Sequence, residues 1–103
     1  MPVLYTTEDV QQGRIYTWVL RKGDMGEPIG LPRTRATIGV SGVFGSGNVD
    51  IIGKLGAVQA PLVSDIYIPT ITPISADAQA VWPILDNASE IAGVTAVSFV
   101  RNR

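Results

Sequence analysis

The chain is expected to fold as an all-β sandwich, jelly-roll-like or Greek-key, of about six to eight short strands with an extended N-terminal arm. Three observations predict this. Apolar residues recur with period two, as half-buried strands require. Eleven glycines and seven prolines are spread over the 103 residues, leaving few windows long enough for a helix. Turn-forming residues separate the alternating runs at short intervals.

Length and composition bound the rest. A chain of 103 residues is one domain. Apolar residues make up 46% and charged residues 17%, below the roughly 25% usual in soluble domains. Mean hydropathy is +0.25, yet no apolar stretch reaches the ~18–20 residues that span a bilayer. The apolar surplus points to a protein neighbour rather than a membrane.

The elements follow in order. Residues 1–13 lack alternation and carry a polar stretch from Thr6 to Gly13, so they read as an arm ahead of a sandwich at 14–103. Within the arm, Val3, Leu4, Tyr5 and Val10 are too apolar for a purely solvated tail and are candidate interface residues. Arg14–Arg21 alternates Tyr16, Trp18 and Leu20 against Ile15, Thr17 and Val19, a strand that ends in the turn-rich Lys22–Pro28. Ile29–Leu31 is a short strand stopped by Pro32. Ala36–Phe44 places Ala36, Ile38, Val40 and Phe44 on one face and Thr37, Gly39, Ser41 and Val43 on the other. Gly45–Asn48 then reads as a tight turn, and Val49–Leu55 alternates again, so the two runs are expected to pair as a hairpin. Leu62–Ile68 and Val81–Leu85, each bounded or interrupted by proline, read as edge strands. Ser75–Ala80 is a candidate single helical turn capped by Ser75. Val94–Arg101 is the final strand.

Little chemistry is available. The formal charge of −1 carries no basic stripe for phosphate, so no nucleic-acid partner is expected. Cysteine and histidine are absent, which removes disulfides, thiolate metal sites, the usual general base and the commonest metal ligand. The acids are Glu8, Asp9, Asp24, Glu27, Asp50, Asp65, Asp77, Asp86 and Glu90. Most fall at turns or on polar strand faces, where capping and solvated carboxylates belong. Asp24 and Glu27 share a loop but lack the alternating oxygen ligands of a calcium loop. Gly42–Gly47 follows a strand and opens another, whereas a phosphate fingerprint opens a helix. The chain is therefore expected to be no enzyme and to hold no cofactor or metal. Met1–Arg14 lacks the layout of a secretory signal, so the sequon Asn87-Ala88-Ser89 is expected to be fortuitous. Trp18 and Trp82 read either as stacking platforms or as core and interface anchors, and their apolar flanks favour anchors. Arg33 and Arg35 read either as a solvated strand entrance or as partners of carboxylates on a second protein.

The series Trp18-Val19-Leu20, Gly23-Asp24-Met25-Gly26-Glu27-Pro28, Leu31-Pro32 and Val40–Gly45, followed by Trp82-Pro83 and Val94–Val100, resembles a family of small tailed-bacteriophage capsid decoration (cement) proteins. The match covers about Ile15–Arg101. The resemblance implies a virion protein, assembled in the bacterial cytoplasm, that sits on the outer capsid surface. There it would clamp neighbouring major capsid subunits and associate with itself as a homodimer or homotrimer. Two other readings compete with it. One is a phage tail, neck or fibre subunit; the other is a carbohydrate-binding module using Trp18 or Trp82.

Overall fold

In the computed structural model, residues 2–11, 13–21, 23–31, 36–42, 47–74, 78–86 and 95–102 are described. They form nine strands: β1 (Thr6–Val10), β2 (Gly13–Leu20), β3 (Ile29–Leu31), β4 (Ala36–Gly42), β5 (Asn48–Leu55), β6 (Val58–Ile66), β7 (Thr70–Ile74), β8 (Ala78–Asp86) and β9 (Thr95–Asn102). One sheet has the order β1-β2-β9-β4-β7 and the other β3-β8-β5-β6, with every named pairing antiparallel. Without β1, the sheets are two sets of four strands whose order is that of a jelly roll. After β2 the chain changes sheet at each connection except β5–β6. The expected all-β sandwich is the fold.

The core is built from the alternating residues. From the first sheet come Trp18, Leu20, Ile38, Val40, Val97 and Phe99. From the second come Ile29, Val49, Ile51, Ile66, Val81 and Leu85. The expected core residues Ile38, Val40, Val49, Ile51, Val97 and Phe99 are all buried; Phe44 lies outside the described residues. An aromatic chain runs through one side of this layer. Tyr5 meets Tyr16 and Trp18 edge-on at 5.2 and 5.8 Å, and Trp18 meets Phe99 at 5.4 Å. All three arrangements set a positive ring edge against a negative ring face.

Four expectations are corrected. The runs Ala36–Phe44 and Val49–Leu55 do not pair, because β4 lies between β9 and β7 while β5 lies between β8 and β6. Alternation reports that each run buries one face, and a crossover between sheets ~10 Å apart satisfies it as well as a hairpin. The hairpin is instead β5–β6, where Leu55 pairs with Val58 across Gly56-Ala57 and Gly56 takes φ +60. That is the requirement at the first central position of a two-residue II′ turn. Leu55, expected on the core face with Val49 and Ile51, is the last paired residue before the turn and is 62% exposed.

Second, β8 is an interior strand, although it contains Pro83. The Pro83 carbonyl accepts from the Gly26 N–H at 2.8 Å. A strand residue's N and O point to the same side, so the ring nitrogen faces Gly26 and the ladder to β5 loses no donor. Third, the N-terminal arm folds on its own domain. Val3 donates to Met25 O and accepts from Glu27 N–H, both at 2.8 Å, and β1 pairs with β2 from Thr6↔Thr17 to Val10↔Gly13. Its spaced apolar residues close the side of the sandwich, and its polar ones occupy the solvated sheet edge. Fourth, Ala78–Ala80 belongs to β8 rather than to a helical turn; Ser75–Asp77 lies outside the described residues.

Candidate functional site

The segment that carries the sequence resemblance is structural. Arg21 O accepts from Asp24 N–H at 2.9 Å, and the Asp24 carboxylate accepts from Arg21 N–H at 2.8 Å, with Gly23 at φ +77 between them. The chain then runs beside β8, and Asp24 O accepts from Leu85 N–H at 3.0 Å. Gly26 is wedged between two rings. A Cβ there would lie 2.6 Å from Pro83 Cδ and 2.6 Å from Trp18 Cδ1. Trp18 Nε1 donates to Glu27 O at 3.0 Å, which satisfies the one polar atom of a fully buried indole. Trp18 is thus a core anchor and not an interface residue.

The other candidate residues are scattered. Val3 and Tyr5 are partly buried against the core, Val10 is half-buried at the end of β1, and Leu4 is 73% exposed. Trp82 pairs with Ile52 on the outward side of the second sheet and is 7% exposed. Its indole N–H has no partner among the described residues. Arg33 and Arg35 lie outside the described residues. The structure does not bring these side chains into one site.

The carboxylates are also apart and largely engaged. Asp9 accepts from Arg14 Nε at 2.9 Å, an exposed pair that raises the Arg14 pKa through that hydrogen bond and the adjacent charge. Asp50 Oδ1 accepts from Asn48 Nδ2 and from Asp65 N–H, each at 3.0 Å. The second bond holds a bulge in β6, where the register shifts and Asp65 takes φ +60. This is the role of a structural carboxylate, which repairs a ladder rather than facing a ligand. Among the described residues, no group of three or more acids is placed to hold a metal ion.

What the strands do assemble is a surface. On the outward side of the first sheet, registered rows run across β2, β9, β4 and β7. They are Ile15–Val100–Thr37–Pro73, Thr17–Ser98–Gly39–Ile71 and Val19–Ala96–Ser41. None of these side chains ionises. The Thr17 and Ser98 hydroxyls bond to each other at 3.0 Å, so the central polar pair is already satisfied. Glu8, opposite Ile15, is the first charge, on the β1 margin. The outward side of β5, in the second sheet, carries Asp50 and Lys54 by contrast. Near β7 the uncharged face holds a shallow depression, floored by Gly39, Ser41, Ala96 and Ser98 and walled by Pro69 and Ile71. Ile71 is 81% exposed and Val19 49%.

Alternation placed Thr37, Gly39 and Ser41 on one face and Ala96 and Ser98 on another, but did not put them side by side. The available signal was the lack of charge at outward positions. Sheets with one wet face ordinarily alternate apolar with polar or charged residues.

No family model and no curated protein matches the chain. Among solved structures, Drosophila melanogaster CENP-C bound to CAL1 is similar at TM-score 0.48 and 9% identity, covering 95% of this chain and 76% of that one. The Drosophila melanogaster CENP-C cumin domain is similar at TM-score 0.46 and 9% identity, covering 95% and 72%. These are CENP-C domains and not phage shell proteins. The expectation of a capsid decoration protein clamping major capsid subunits is corrected accordingly, together with its phage tail, neck or fibre alternative. The outer-capsid location rested on the same resemblance and is not carried forward. The physical reason is visible in the segment above: Trp18, Gly26 and Pro83 close a sandwich, and closure does not name a partner.

Proposed function

We propose that the chain is a non-catalytic protein-binding module that docks through the outward face of the β2-β9-β4-β7 sheet. One observation carries this reading: across four registered strands that face presents no ionisable side chain. Water-facing strand positions normally carry polar side chains with charges among them, and a depletion of charge marks the centre of an interface. The bonded Thr17–Ser98 pair lowers the desolvation cost of covering the face. The Asp24 and Asp50 carboxylates accept backbone N–H groups of the turn and the bulge they hold, which supports binding over carboxylate chemistry.

The test is site-specific photo-cross-linking in the native source. A photoreactive phenylalanine at Thr17 or Thr37 should give discrete protein adducts, whereas the same group at the exposed Gln59 on β6 gives none. Adducts from Gln59 alone, or from no position, overturn the reading.

A further inference from the structure

We infer that β1 is a docking edge for an extended segment of another protein, one that carries a lysine or arginine opposite Glu8. The sandwich has four strand edges, β1 and β7 in the first sheet and β3 and β6 in the second. An open edge presents unpaired N–H and C=O groups to any passing strand, and folds block it with proline, a bulge or a very short strand. Three of these edges are blocked. β3 is three residues long with an irregular register. β6 carries Pro61 and the bulge at Asp65, and β7 carries Pro73. β1 pairs with β2 over five residues in unbroken register and contains neither proline nor bulge.

The direction of the backbone groups follows from the turns. Val10 pairs with Gly13 across a two-residue connection, so that pair exchanges hydrogen bonds. Alternation then makes Glu8–Ile15 and Thr6–Thr17 the next bonded pairs. Thr7, between them, turns its N–H and C=O away from β2. Followed through the registers of β2, β9 and β4, the same alternation points the Pro73 nitrogen off the free side of β7. From the Leu55–Val58 pair it points the Pro61 nitrogen off the free side of β6. Each proline sits where a docking strand would need a donor. Thr7 holds the equivalent position on β1 with its donor intact. Thr6, Thr7 and Glu8 are exposed, and among the described residues no backbone bond beyond the β1–β2 ladder reaches them.

Charge selects the occupant. Glu8 lies on the outward side opposite Ile15 and, among the described residues, forms no ion pair, whereas Asp9 is held by Arg14. A second copy laid antiparallel along β1 would crowd Glu8, Asp9 and their images onto one short seam. A strand with a cation opposite Glu8 meets the reverse condition, since opposite charges across a ladder stabilise it and like charges destabilise it. Backbone bonds supply the affinity and the Glu8 pair supplies the choice of partner. The exposed side chains of β1 offer little apolar area, so the contact is weak, with a dissociation constant on the order of 0.1–1 mM. The docked strand lies beside the uncharged face, and a partner that touches both gains through effective concentration. The edge nevertheless stands on its own observations and is tested alone.

The experiment is an NMR titration of the isotope-labelled full chain with two end-blocked peptides, KTVTKTVTK and ETVTETVTE, at up to about 2 mM. The lysine peptide should shift the Thr7 and Glu8 amides and slow solvent exchange of the Thr7 amide. It should bind at least ~3-fold tighter than the glutamate peptide, and Glu8→Lys should reverse that preference. Thr7→Pro removes the outward donor and leaves the β1–β2 ladder intact, as Pro61 and Pro73 do on their strands. It should abolish the shifts while the amides of β4 and β9 stay at their wild-type positions. No shift at β1 with either peptide, shifts that survive Thr7→Pro, or a preference that Glu8→Lys does not move overturns the inference. Adducts at Thr17 and Thr37 without peptide binding at β1 would remove the edge and leave the face. Peptide binding at β1 without those adducts would do the reverse.

Discussion

Replacing Gly26 with alanine isolates how the sandwich is closed. The added methyl would sit 2.6 Å from Pro83 Cδ and from Trp18 Cδ1, about 1 Å inside an ordinary carbon–carbon contact of ~3.5–4.0 Å. Neither ring has room to retreat, because Trp18 and Pro83 are fully buried. The strain must then move the backbone of residues 24–27. That backbone holds the Gly26–Pro83 bond, the Trp18–Glu27 bond and the two Val3 bonds. Overpacking costs ~1–3 kcal/mol, and each loosened hydrogen bond adds ~0.5–1.5 kcal/mol. The expected loss is about 2–4 kcal/mol out of a total on the order of 5–15 kcal/mol for a domain. In thermal terms this is roughly 10–25 °C at ~4–8 °C per kcal/mol. The assay is urea unfolding followed by tryptophan fluorescence. The midpoint should fall with the slope unchanged. Two other glycines serve as controls. Gly39→Ala meets open space and should cost less than ~0.5 kcal/mol, while Gly56→Ala meets open space at φ +60 and should cost ~1–2 kcal/mol. A Gly26→Ala midpoint equal to that of Gly39→Ala would refute the wedge.

Three further outcomes follow from the same packing. Trp18→Phe strands the Glu27 carbonyl by removing the bond to Nε1, whereas Trp82→Phe deletes an N–H that has no partner among the described residues. In paired urea melts Trp18→Phe should cost at least ~1 kcal/mol more; equal losses would contradict this assignment. Deleting residues 1–5 removes the Val3 backbone bonds and the Tyr5 ring from Tyr16 and Trp18, and should lower stability by ~2–4 kcal/mol. A truncated chain with an unchanged melting temperature would mean that the segment is not part of the domain. Phe99→Ala opens a cavity beside Trp18 in the centre of the sandwich and should cost about 3–5 kcal/mol, which calorimetry of the two proteins reads directly.

The fold class was legible because alternation reports burial. Trp18 and Leu20, Ile38 and Val40, Val49 and Ile51, and Val97 and Phe99 are the inward sets that period two picks out. Pairing was not legible, because an alternating run looks the same beside either neighbour. That is why Ala36–Phe44 and Val49–Leu55 were read as one hairpin and β8 as an edge. The proline rule failed at Pro83 for a local reason: the residues beside it are a crossing loop, and Gly26 needs an acceptor there rather than a donor. The strand at Thr70–Ile74 was missed because Pro69 precedes it and Pro73 lies within it. On its edge, Pro73 costs the sheet little. The candidate site was the least legible part. Searching for large or charged side chains selected Trp18 and Trp82, while the face is built from Gly39, Ser41, Ala96 and Ser98, whose contribution is to be small and uncharged together.

The tryptophan and glycine–aspartate turn that suggested a phage family are held in place by contacts inside one chain. Trp18 needs a carbonyl for its N–H, Gly26 needs to be small so that the loop fits against Pro83, and Asp24 needs to close its own turn. Any two-sheet sandwich that seals its open side with a loop over a buried indole faces these same demands. Such a series therefore constrains how a chain closes and is silent about what it meets. The outward face obeys the opposite logic. Thr37 lies on that face, in register with Val100 and Pro73, and a lysine there would leave every core contact intact while placing a charge in the middle of an otherwise uncharged surface. The chemistry of that face is thus free to change without the sandwich changing. The residues that set it are those at outward strand positions, where the period-two pattern marks a side chain as facing away from the core and says nothing more.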